Sequence, residues 1–208
     1  LQLHVKYWQK QSQSKPSQRS DPKMTLLILG LLLWVAAHYF KRLMPDARAA
    51  LGDKGKGLVA VAVVASVVMM ILGYRSAGYV DVWTPPAFLV HVNNTLMLLA
   101  FWVYGSSAAK GAKVWPANKI RHPQLTAVKI WALAHLLVNG DLASIILFGG
   151  LLGWAVGSVI LINRAEPDWT PPPTAGTATK VRLLVITLVL YGVVAAVHVW
   201  LGVWPFPT

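Results

Sequence analysis

The chain has no cysteine, and only seven of its 208 residues are Asp or Glu. The missing thiols exclude disulfide cross-links, thiolate nucleophiles and thiolate metal sites. Charged residues are scarce altogether, at 12% of the sequence against ~25% in an ordinary globular chain. With 56% hydrophobic residues, that balance excludes intrinsic disorder, which needs the reverse. Also lacking are a phosphate-cradling glycine loop, an HExxH helix, an EF-hand loop and a hydrolase triad pattern. Nineteen Lys and Arg leave a net charge of +12. They fall between long apolar runs, so the excess reads as membrane topology and headgroup contact, and no nucleic-acid partner is expected.

Six apolar, nearly charge-free segments predict an all-α polytopic membrane bundle: residues 25–40, 58–74, 86–104, 125–139, 142–162 and 181–203. A spanning helix needs about 20 residues, so the first and fourth are short, and the fourth carries Lys129. Segments four and five form a tight hairpin over 125–162, turned at Val138-Asn139-Gly140-Asp141. Lys41, Arg42, Arg48, Lys54, Lys56, Lys110, Lys113, Lys119, Arg121, Arg164, Lys180 and Arg182 gather in or beside alternate loops, which the positive-inside rule places in the cytoplasm. Residues 1–23 are basic and polar, and Met24 opens a hydrophobic run directly. The expectation is a working protein that begins at Met24, with 1–23 an extension and 24–208 a single transmembrane domain. Residues 166–179, with Pro171-Pro172-Pro173, read as a stiff extended linker. Trp83, Trp115, Trp169, Trp200 and Trp204 lie near segment ends, as an interfacial belt requires.

Histidine is the residue with chemistry to explain. His38, His91, His122, His135 and His198 all lie in or beside the apolar segments. Imidazole is a common iron ligand, and an ionisable group at membrane depth defaults to a functional reading. For any one of them the plainer reading is a ring satisfied by a neighbouring carbonyl. At ~1.5 Å per residue, His91, His135 and His198 fall near the outer ends of their segments. His38 falls at an inner end, and His122 precedes segment four. By depth, His135 pairs more readily with His91 or His198 than with His38. Arg121 is a candidate for an anion such as a haem propionate or lipid phosphate, against the plainer role of a topology anchor. Asn139 and Asp141 flank the hairpin glycine, where turn chemistry is the simpler account.

The stretches Arg121-His122-Pro123-Gln124, Trp131-Ala132-Leu133-Ala134-His135 and Asn139-Gly140-Asp141-Leu142-Ala143 resemble the NnrU family. So do His38-Tyr39-Phe40-Lys41-Arg42-Leu43 and the terminal His198 with Trp200-Leu201-Gly202-Val203. The resemblance runs from Met24 to the C-terminus. It implies a multi-pass protein of the bacterial inner membrane, linked to denitrification and related to the 15-cis-zeta-carotene isomerases. It implies haem b, with His135 and His38 as iron ligands and His91 or His198 competing for the second position. It further implies either isomerisation of a hydrophobic polyene or support of nitric oxide metabolism. A non-catalytic subunit of a larger membrane complex is the alternative. The isomerase cysteine three residues before the His135 position is Ala132 here, so ligand switching through it is excluded. Arg121-His122-Pro123 followed by Asn163-Arg164-Ala165-Glu166 is also similar to membrane methyltransferases that use S-adenosylmethionine. Leu125 stands where those carry Tyr, and Glu166 is followed by Pro167.

Overall fold

The computed structural model describes residues 22–207. The extension expected over 1–23 lies outside the described residues up to position 21, and Pro22 and Lys23 already belong to the first helix. The described chain is helical throughout: α1 Pro22–Leu43, α2 Pro45–Ala50, α3 Lys54–Ser76, α4 Leu89–Gly105, α5 Pro123–Val138, α6 Leu142–Ala165 and α7 Thr177–Trp200. α1, α3, α6 and α7 are long and apolar enough to cross a membrane, and α4 and α5 are shorter apolar helices.

Two lengths differ from the hydropathy reading. The first segment looked short, yet α1 has 22 residues because Pro22 sits in its first turn and Lys41 and Arg42 complete its last. Charged residues continue a helix as well as apolar ones do, so hydropathy marks the buried stretch and not the helix end. The third segment looked long, yet α4 has 17 residues. Pro85 and Pro86 hold the chain extended, and the approach to the helix is a tight turn in which Leu89, Val90 and His91 donate three residues back, to Pro86, Ala87 and Phe88.

α6 is the hub, packing against α1, α3 and α5, while α1 pairs with α3 and α4 bridges α5 to α7. The α1–α3 crossing is a backbone-to-backbone approach. A Cβ on Gly73 would stand 2.7 Å from Leu27 Cα, and one on Gly30 would stand 2.8 Å from Met70 N. Small residues permit this closeness, which is how helices pack tightly where lipid removes the hydrophobic drive. Leu27, fully buried, fills the crossing together with Met70. The outward faces are the reverse: Val61 and Val64 on α3 are 67% and 63% exposed, and Val189 on α7 is 58% exposed. Valine and leucine left bare over whole helix faces need a hydrocarbon solvent. The chain is a multi-pass membrane protein.

Gly73→Val should force the crossing apart and cost about 1–3 kcal/mol or more, as overpacking does. Gly192, whose added Cβ would meet nothing within 4 Å, provides the control. In detergent, thermal denaturation should show a lower midpoint for Gly73→Val and an unchanged or slightly higher one for Gly192→Ala; equal midpoints would sink the account of the crossing.

Candidate functional site

Three intramembrane histidines follow one local rule. His38, His135 and His198 each donate from Nδ1 to the carbonyl four residues earlier, of Trp34 at 2.8 Å, Trp131 at 2.9 Å and Val194 at 2.8 Å. A carbonyl only accepts, so the neutral ring carries its proton on Nδ1 and keeps its lone pair on Nε2. That is the tautomer of a metal-ligating imidazole with its other nitrogen anchored.

Two of these rings share a sequence device. Trp34-Val35-Ala36-Ala37-His38 on α1 and Trp131-Ala132-Leu133-Ala134-His135 on α5 repeat a Trp four residues before a His, which puts both rings on one helix face. Each pair packs against an aromatic ring of α6. His38 lies 4.1 Å from Trp34 and 4.9 Å from Trp154, centre to centre. His135 stacks on Phe148 at 4.6 Å and tilts against Trp131 at 5.2 Å. Phe148 and Trp154 are six residues apart, about 9 Å along the α6 axis. The two imidazoles therefore pack against α6 at different levels.

The cavity belongs to His38. A space of about 570 Å³ opens at the basic end of the bundle, lined by the end of α1, the start of α5, the second half of α6 and the loops beside them. His38, Tyr39 and Arg42 come from α1, Arg121 and His122 from the entry to α5, and Trp154 and Ser158 from α6. Tyr39 fixes the α1 side by donating to the Trp154 carbonyl at 2.7 Å. An added Cβ on Gly157 would crowd the Tyr39 ring, at 3.3 Å from Cζ, so glycine there makes room for the tyrosine. His122 stands just before the first turn of α5, and its ring bonds through Nε2 to Asn163 Oδ1 at 2.8 Å instead of capping the helix.

The proline segment is a wall and not a free linker. Trp169 and Pro172 line the cavity. Arg121 donates to the carbonyls of Glu166 and Pro167, Arg42 meets Glu166 at 3.3 Å, and Asn118 donates to Thr174 Oγ1 at 2.8 Å. Lys113 N–H bonds to the Pro173 carbonyl and Ala175 N–H to that of Lys113, both at 2.8 Å. Composition marks a proline run as stiff, but these ties are set by residues far away in sequence.

The remaining candidates lie elsewhere. His135 is not among the cavity-lining residues. His91 is exposed in the first turn of α4, and its backbone carbonyl accepts from Thr95 at 2.9 Å. Asn139 donates to the His135 carbonyl at 2.8 Å, closing the end of α5. Asp141 caps α6, taking the Ser144 amide at 2.9 Å on Oδ1 and the Ser144 hydroxyl on Oδ2. Between them Gly140 accepts from Val82 and Trp83, and a Cβ there would stand 2.8 Å from the Trp83 carbonyl carbon. These three residues do turn and capping chemistry.

The donor set around the cavity suits a b-type haem held through a single imidazole. His38 offers a free Nε2 beside a space of cofactor size, and Arg42, Lys113 and Arg121 line it with positive charge. Sequence reasoning passed over Trp34, Tyr39 and Trp154 as site residues. The recurring Trp-x-x-x-His spacing was the signal available for Trp34; for Trp154 only the packing of α6 reveals its place.

The fold and cavity define a polytopic α-helical membrane protein with a pocket of cationic and apolar residues at one end. Residues 26–205 match the family described as NnrU protein, and the chain belongs to that family. No curated protein and no solved structure gives a significant match.

Asp141→Ala should remove the α6 cap at a cost of about 1 kcal/mol, within 0.5–2. Ligand binding in the cavity should be untouched, because Asp141 lies in the hairpin turn and not in the cavity wall. Chemical denaturation and haemin titration on the same preparation separate the two effects, and a loss of haemin binding at unchanged stability would contradict the capping role.

Proposed function

We propose that this NnrU-family protein is an intramembrane haem b protein, with His38 as the protein ligand to the iron and the basic end of the bundle in the cytoplasm. One observation carries the reading: an imidazole with its Nδ1 anchored on a carbonyl stands at the edge of a space of cofactor size. Haem held there would supply a redox-active iron able to bind a small ligand. The chain's own residues do the rest. Trp34 and Trp154 pack the sides of the His38 ring and fix its plane. Tyr39 ties α1 to α6 at that level, and Trp169 and Pro172 add a side to the pocket.

Arg42, Lys113, Arg121 and His122 on the wall suit a small polar or anionic ligand, as in nitric oxide or nitrite handling, while Leu125, Trp154 and Ile162 offer a surface for the hydrophobic body of a polyene, so the wall supports either role. His135 is the competing iron ligand, since its Nδ1 is anchored on a carbonyl in the same way. A methyltransferase reading has one observation in its favour, because Arg121 and His122 do meet residues 163–167. Both Arg121 contacts there are to backbone carbonyls, and the segment supplies Glu166 alone as an acid.

Alanine substitution at His38, His135 and His198, each followed by haem content and the oxidised and reduced spectra of detergent-purified protein, decides among these readings. His38→Ala should lose most of the Soret absorbance, with His135→Ala and His198→Ala retaining it. Loss in His135→Ala with retention in His38→Ala would move the iron to the other level. A wild-type protein without a Soret band after reconstitution with haemin defeats the proposal outright.

A further inference from the structure

The cations of the cavity are not balanced by acids. Of the three, Arg42 meets a carboxylate, Glu166. Arg121 bonds to the carbonyls of Glu166 and Pro167, and Lys113 Nζ bonds to those of Ser107 and Ala109. Among the described residues neither Arg121 nor Lys113 has a carboxylate within ion-pair distance. Carbonyl oxygens orient a cation without neutralising it, and both side chains are partly buried. Cations held in place on carbonyls keep their full charge and are ready partners for an anion.

A second observation concerns the rest of the wall. Leu125, Trp154 and Ile162 line the cavity together with these cations. The cavity thus combines two cations that have no carboxylate partner, Arg121 and Lys113, with an apolar strip.

We infer that the cavity selects amphiphiles that end in an anionic oxyacid, a carboxylate in the first instance, with Arg121 and Lys113 holding the head and the body lying along Trp154, Leu125 and Ile162. The inference rests on the cavity being a ligand site, as proposed above, and it names what that site recognises. The carboxylate could come from the propionates of haem or from a fatty or polyene acid of the bilayer. The chemistry of recognition is the same, and the probes tell the sources apart.

The test compares each acid with its ester, using the full chain in nanodiscs. Haemin and haemin dimethyl ester are titrated by Soret absorbance; cis-parinarate and its methyl ester are followed by energy transfer from tryptophan. The wild type should prefer the acid over the ester by about tenfold or more, the size expected when one charge-assisted hydrogen bond is lost. Arg121→Gln combined with Lys113→Gln should abolish the preference, and Arg121→Lys with Lys113→Arg should restore most of it. Acid preference for parinarate without any haemin binding would support the inference, assign the ligand to the bilayer and end the haem reading. Preference within the haemin pair alone would support it with the propionates as source. Equal binding of acid and ester in both pairs overturns it, and haemin binding can then still stand. Preference that persists in the double Gln variant overturns the assignment to these two residues. Should that variant fail to fold, the wild-type comparison of acid with ester decides alone.

Discussion

Polar groups at membrane depth have no water to fall back on, and every intramembrane feature of this protein follows from that constraint. Its histidines meet it with their own backbone. In each of His38, His135 and His198, Nδ1 reaches back one turn to a carbonyl, so the ring is half satisfied before any tertiary contact forms. What remains is a lone pair on Nε2, and the aromatic rings around His38 and His135 fix where that lone pair stands. A side chain that solves its solvation problem this way is left competent to ligate. The structural and functional readings of these histidines are therefore not rivals: the carbonyl bond that makes the ring tolerable also selects its metal-binding tautomer.

The same constraint separates the two ends of the bundle. At the hairpin end, Asn139 donates to the His135 carbonyl, Asp141 takes the Ser144 amide and hydroxyl, and Tyr74 closes the set at 2.9 Å from the Ser144 hydroxyl. At the basic end cations rest on carbonyls, and the proline segment is tied over a space it does not fill.

Much of this was legible in the residues. The six apolar stretches, the hairpin at Gly140 and the caution that His38 and His135 differ in depth all came from periodicity, turn dipeptides and rise per residue. The family was visible in the Arg121-His122-Pro123 and Trp131-to-Asp141 stretches, and the match over 26–205 shows it. The misses have a common cause. Hydropathy sees solvent preference and not hydrogen bonding, so it cut α1 short at its charged last turn and ran α4 into a proline turn. Composition sees local stiffness, so residues 166–179 looked like a linker, although Arg121, Lys113 and Asn118 make that segment a wall. Which histidine adjoins a cavity depends on how α1 and α5 lie against α6, and that rests on glycines whose neighbours no single sequence displays.

Those glycines make the last connection. Gly30 and Gly73 bring α1 and α3 into backbone contact, while Gly157 admits the Tyr39 ring, and Gly150 has a similarly close neighbour in Leu31. α1 is therefore held by small residues on two sides, against α3 and against α6. It carries Trp34, His38, Tyr39 and Arg42 within little more than two turns, and three of those four line the cavity. A helix pinned this closely has little freedom to rotate, so His38 is presented in a fixed orientation instead of being recruited by a ligand. Preorganisation of that kind lowers the ordering cost of binding. It also explains why the pocket could keep charged groups without a protein counter-ion: the packing of α1 on α3 and α6, and not the pocket's own polar contacts, holds the site open.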